Sequence, residues 1–144
     1  MTDQTGGCLC GAVRYRVTGP LRPVVACHCR QCRRTSGHHG AFTACTPDRL
    51  AVETDRALRW YRSSPEAERG FCGACGSNLF WRPAHGRAIS IAAGSLDDTP
   101  GLTLGAHVFT ADQGRYYTIA DGVPQWPQHP AADDPDYPRV PEAG

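Results

Sequence analysis

The stretch Gly7-Cys8-Leu9-Cys10-Gly11-Ala12-Val13-Arg14-Tyr15-Arg16-Val17 carries two patterns at once. From Val13 to Val17 apolar and basic residues alternate with a period of two, the pattern of a half-buried strand. Ahead of it, Cys8 and Cys10 stand two apart, so an extended chain turns both thiols to one face and both can reach one metal ion. Leu9 points the other way, and Gly11 permits the backbone bend between the pair and the strand.

Working outward, residues 41–45, 50–52, 58–61, 79–81, 88–92, 107–109 and 116–119 read as further short strands. Turn residues separate them, as in Thr46-Pro47-Asp48 and Asp97-Asp98-Thr99-Pro100-Gly101. Gly (16) and Pro (12) are spread along the whole length, which suits many strands joined by turns. Residues 30–35 alone suggest a helical turn, and no long amphipathic helix or fixed-period repeat is present. The expected fold is mostly β. Residues 1–126 form the folded domain in this reading. Residues 127–144, acidic and punctuated by Pro127, Pro130, Pro135, Pro138 and Pro141, form an extended or disordered tail, with a strap pinned by Tyr137 as the alternative.

The chain has 144 residues, 40% of them hydrophobic, enough for one domain with one main core. No apolar run approaches the length of a membrane span. The N-terminus lacks the basic start and apolar stretch of a signal peptide, so the expected location is the cytoplasm. Net charge is +1 with no block of one sign, which argues against a nucleic-acid partner. All 15 basic residues are arginine, so every fixed cation is a planar fork suited to carboxylates and thiolates.

In a reducing compartment, clustered cysteines are more often metal ligands than disulfides. Phe71-Cys72-Gly73-Ala74-Cys75-Gly76 is a Cys-x-x-Cys turn whose thiolates can share an ion. Together with Cys8 and Cys10 it would complete a closed four-cysteine zinc stapling the fold. Cys27-His28-Cys29-Arg30-Gln31-Cys32 places three sulfurs within six residues. Three protein ligands and an open fourth position are the arrangement of a catalytic zinc, and Arg30, Arg33 and Arg34 stand beside it. Spacing leaves open whether His28, Cys45 or a distant histidine closes this group, and it does not fix how the pairs combine. Cys45, in an apolar strand, reads as a small buried hydrophobe.

These segments resemble the glutathione-dependent formaldehyde-activating enzyme family, also called the centromere protein V/GFA domain family. The resemblance continues through Ser36-Gly37, Tyr61-Arg62-Ser63-Ser64, Arg69-Gly70-Phe71, Gly94-Ser95-Leu96-Asp97-Asp98, His107-Val108-Phe109 and Asp121-Gly122-Val123-Pro124-Gln125-Trp126. It departs at Ala111-Asp112-Gln113-Gly114-Arg115-Tyr116, where many members carry Ser-Lys before an aromatic.

The resemblance implies a β-tent fold and two zinc ions. Cys8, Cys10, Cys72 and Cys75 would hold a structural one; Cys27, Cys29 and Cys32 would hold a more labile, catalytic-type one. It implies carbon–sulfur lyase chemistry on a small-molecule thiol or its aldehyde adduct, glutathione being the name-giving thiol. A non-catalytic zinc module that binds a partner is the alternative. Candidates for proton transfer are His107, Asp97 and His28, although alternation turns His28 away from a metal held by its neighbours. His38 and His39 read as an exposed loop after Gly37, with the site mouth as the alternative, and Ser77 and Asn78 could support thiolates.

Overall fold

The computed structural model describes residues 3–142. A three-stranded sheet has the order β1-β2-β5, built from β1 (Gln4–Gly7), β2 (Arg14–Val17) and β5 (Leu50–Thr54). The larger sheet also uses β3 (Val24–Cys27), β4 (Gly40–Cys45), β6 (Leu58–Ser64), β7 (Ala67–Cys72), β8 (Asn78–Pro83), β9 (Ile89–Ala92) and β10 (Leu104–Val108). Its order is β10-β3-β4-β9-β8-β7-β6, and every pair except β10 with β3 is antiparallel. One α-helix, α1 (Arg30–Ser36), follows β3. The mostly-β expectation holds.

Alternation in the opening stretch decides the main core. Val13, Tyr15 and Val17 are fully buried and meet Leu79, Phe80, Ile89 and Ile91 from the larger sheet. Tyr15 and Phe80 pack edge to face at 5.3 Å, an arrangement aromatic quadrupoles favour. Burial pushes the Tyr15 hydroxyl up to about 12, and Ser95 bonds it at 2.7 Å. Gly70 leaves room for these rings, since a Cβ there would lie 3.0 Å from Trp60 and 3.1 Å from Phe80.

The expected strand over 116–119 does not form. The outer edge of β10 is met instead by Gln125, bridged to His107. Tyr116 and Tyr117 turn their rings together at 5.0 Å rather than to opposite faces, and the Tyr117 carbonyl accepts from Gln113 at 3.1 Å. Strands β1, β3 and β7 were not among the sequence expectations; each contains a Gly or a Cys. No helix among the described residues is long and apolar enough to cross a membrane.

Residues 127–142 contain neither helix nor strand and lie against the domain. Tyr137 packs edge to face on Trp126 at 6.0 Å, Asp134 accepts from the Trp126 indole at 3.2 Å, and Arg49 donates to the Pro141 carbonyl at 2.9 Å. Tyr137 thereby joins a second, smaller core with Val25, Ala106 and Val108.

Candidate metal centres and the cavity

The turn between β1 and β2 and the turn between β7 and β8 bring Cys8, Cys10, Cys72 and Cys75 together, every sulfur within 4.8 Å of the others. Cys8 lies 3.7 Å from Cys10, and Cys10 lies 3.8 Å from Cys72. Backbone N–H groups aim at these sulfurs: Val13 at Cys8 (3.2 Å) and Cys75 at Cys72 (3.4 Å). Ser77 lies 3.2 Å from the Cys75 sulfur and accepts from the Leu9 amide at 3.0 Å. Its hydroxyl leads the hydrogen bonds that hold the Cys75 thiol down to about 5. Such donors stabilise thiolates, the form that binds metal. Asn78 supports no thiol; it donates to Thr35 and Ser36 and ties the second turn to the end of α1.

Cys27, Cys29 and Cys32 form the second group, again with all sulfurs within 4.8 Å. The chain achieves this by starting a helix at Cys29, whose sulfur accepts from the Cys32 amide at 3.4 Å as the cap of α1. The Cys29 thiol is pulled well below its ordinary value, first by Cys27 and Cys32, then by backbone N–H groups. The close approach of β4 requires Gly40, where a Cβ would lie 2.5 Å from Phe42 and 3.2 Å from the Cys32 sulfur. Arg69 reaches across from β7 to within 3.6 Å of that sulfur and 3.2 Å of Gln31 Oε1. Both cysteine groups could hold a metal ion.

Among the described residues, the second group opens on a large space. A cavity of about 1180 Å³ is lined by Cys27, Cys29 and Cys32 and by none of the other four. Val25, Phe42, Trp81, Val108, Phe109 and Tyr137 supply apolar walls, and Arg22 and Arg69 are buried cations on them. Phe109 is held at φ 56°, a left-handed conformation rare for a bulky residue.

The candidate proton carriers lie elsewhere. Asp97 is bound by Arg14 and accepts from Thr5 at 2.7 Å; Arg14 leads the contacts that hold its carboxyl down to about 2. It joins β1, β2 and the loop after β9 and does not line the cavity. His28, fully buried, also points away from the cavity, as alternation requires. Its Nε2 meets His107 Nδ1 at 2.9 Å, and its Nδ1 meets the Tyr117 hydroxyl at 2.5 Å.

His107 is therefore not a pocket residue: it sits behind β3, with Nε2 donating to Asp121 at 2.8 Å. If each ring carries a single proton, the carboxylate sets the direction of the chain: Tyr117 donates to His28, His28 to His107, and His107 to Asp121. Burial, then the imidazoles of His39, His107 and His38, pushes His28 down to about 4.

His38 and His39 belong to this same cluster and not to the mouth of the cavity: His38 bonds the Tyr116 hydroxyl, and His39 packs against His28 in a tilted arrangement at 4.9 Å. Arg30 lines the cavity, whereas Arg33 and Arg34 do not. Cys45 is fully buried in the main core, and burial pushes its thiol up to about 11, as a small apolar residue would require. Sequence reasoning missed Arg22, Arg69, Tyr117 and Asp121 as participants. Alternation within β7 is the one local signal for Arg69, and Arg22 has none.

Two sheets joined by a four-sulfur group, with a three-sulfur group at a cavity, define a class of small β proteins with two potential metal centres. The chain belongs to the glutathione-dependent formaldehyde-activating enzyme family, whose profile matches residues 3–112. It is similar to an uncharacterized lyase of Schizosaccharomyces pombe, 28% identical over 122 residues that cover 84% of this chain and 88% of that one. A Halomonas elongata protein, provisionally named as a glutathione-dependent formaldehyde-activating enzyme, is 35% identical over 83 residues, 52% of this chain and 53% of its own length. A crystal structure of a Rhodobacter sphaeroides protein shares the fold with a TM-score of 0.58, at 21% identity over 85% of this chain and 99% of that one.

Proposed function

We propose that the protein is a zinc-dependent carbon–sulfur lyase that forms and breaks the adduct of a thiol with a small aldehyde or related electrophile. The observation that carries this reading is the cavity: three sulfurs face it, and four do not. The lyase and formaldehyde-activating names of the relatives support the same chemistry.

Zinc fits the donor sets. Tetrahedral zinc with Zn–S bonds of about 2.3 Å separates its sulfurs by about 3.8 Å, and the separations of 3.7 and 3.8 Å in the first group agree with that. Cys8, Cys10, Cys72 and Cys75 would hold a closed structural ion, and Cys27, Cys29 and Cys32 a more labile one with a position left for substrate. When bound there, zinc lowers the pKa of a thiol and polarises a carbonyl oxygen.

The chain's own residues do the rest. Arg69 faces the sulfur group and offsets the negative charge that three thiolates bring. Gly40 lets β4 pass close to the Cys32 sulfur, and the apolar walls lower the polarity around the reacting pair. In the forward direction the thiol sulfur bonds to the aldehyde carbon and the S–H proton ends on the carbonyl oxygen. The reverse breaks the carbon–sulfur bond, and no electrons are exchanged with a third reactant.

The test is the rate of adduct formation from formaldehyde with glutathione, and then with other small thiols, above the spontaneous reaction. Acceleration abolished by Cys27→Ser is expected. No acceleration with any thiol, in protein carrying two zinc ions, would leave a non-catalytic zinc module.

A further inference from the structure

Arg22 and Arg69 are the two arginines on the cavity wall that are almost wholly enclosed, 8% and 5% exposed. Neither has a carboxylate partner among the described residues. A buried cation without a counter-charge is strongly destabilising unless something supplies one. Arg69 faces the sulfur group, whose Cys32 its Nη2 touches at 3.6 Å, although its Nε is buried with no partner among the described residues.

Arg22 makes no such contact. Its Nε donates to the Pro23 carbonyl at 3.3 Å and its Nη2 to the Phe42 carbonyl at 2.9 Å. These contacts fix the plane of the fork and leave Nη1 with no protein acceptor among the described residues, out of five N–H donors in all. The carbonyls are neutral, so the charge itself stays unmatched, and burial lowers the Arg22 pKa accordingly. The backbone is equally fixed: Thr43 donates to the Arg22 carbonyl at 2.5 Å, and the Arg22 amide donates to Ala44 at 3.1 Å. The other charged groups on the lining, Arg30, His85, Arg87, Asp112 and His129, are exposed at the rim. Beside Arg22 stand Val25, Phe42 and Tyr137, whose phenol burial keeps in its neutral form.

We propose that Arg22 is the anchor for the carboxylate of an otherwise apolar substrate, so that the cavity takes an aryl or alkyl aldehyde or ketone that also carries a carboxylate, rather than an uncharged aldehyde. A planar fork already oriented by two carbonyls meets a carboxylate with little further ordering, and the low-dielectric walls strengthen the pairing. An apolar body fills the aromatic walls, while the sulfur group faces the reacting carbon. This assignment rests on the proposed function only in taking the cavity to be the substrate site.

The experiment is calorimetric titration of the full zinc-loaded chain with phenylacetate, with its uncharged isostere phenylacetamide, and with acetate. Phenylacetate should bind at least tenfold tighter than either. In Arg22→Gln the acid and the amide should bind alike. In Cys27→Ser, depleted of metal at that centre, the preference for the acid should survive. Equal binding of acid and amide by the wild-type protein overturns the proposal, and this holds even if Arg22→Gln does not fold. An acid preference that persists in Arg22→Gln, or that vanishes in Cys27→Ser, places the carboxylate elsewhere and also overturns it. Binding is read without turnover, so an absence of thiol addition would defeat the proposed function and leave the anchor standing.

Discussion

The two cysteine groups use the same ligand atom in opposite surroundings. Cys8 and Cys72 are buried in the main core, where the two sheets meet, and Cys10 faces solvent. Cys27, Cys29 and Cys32 sit where a strand becomes a helix, at the foot of a cavity with apolar walls. The first group joins segments more than sixty residues apart, so its closure restrains a long loop; the second is local and restrains almost nothing. Identical donors thus lend themselves to holding a fold in one place and to exchanging a ligand in the other.

The sharpest way to break this contrast is to remove one sulfur from each group. Cys72→Ser is expected to abolish folding, since structural zinc contributes about 10–16 kcal/mol in small zinc domains. Cys27→Ser should fold and carry one zinc ion in place of two. Metal content per chain together with far-UV circular dichroism checks both. Equal collapse of the two variants would make both centres structural.

Next in size is the core against which the first group is built. Phe80→Ala removes the ring that Tyr15 meets, at a cost of about 3–5 kcal/mol, read from urea unfolding. Zinc at the second centre should be unaffected until the chain unfolds.

A smaller effect is expected behind the second group. Tyr117→Phe deprives His28 Nδ1 of its donor, at a cost of about 1 kcal/mol. Zinc should leave the three-cysteine centre faster under a chelator, because the segment between Cys27 and Cys29 is then less firmly held. Unchanged release would show that the hydrogen-bond chain serves stability alone.

The smallest change should come from Asp97→Asn. Its ion pair with Arg14 is exposed and screened, and the residue lies off the cavity. Melting temperature should move little and thiol-addition rate not at all. A large loss of rate would return Asp97 to the reaction.

Much of the fold was legible because one-sided burial imposes a period of two, which Val13, Tyr15 and Val17 display, and because Gly and Pro mark the turns. Residues 116–119 show where that signal fails: β-branched and aromatic residues looked like a strand, but pairing needs a free edge, and Gln125 already meets the edge of β10. The donor atoms of both cysteine groups were equally legible, since their spacing is local chemistry. The position of His28 followed from alternation, while its partners did not: His107 and Tyr117 lie 79 and 89 residues further along the chain.

The sequence by itself therefore determined which atoms are available for metal and which faces are apolar, because both depend on near neighbours. Only the tertiary structure decided which sulfurs face a cavity, which cavity-wall arginine is buried without a counter-charge, and that His107 and Asp97 stand away from the cavity. Those properties arise from segments far apart in the chain closing around one space, and no local pattern encodes the far wall of a cavity.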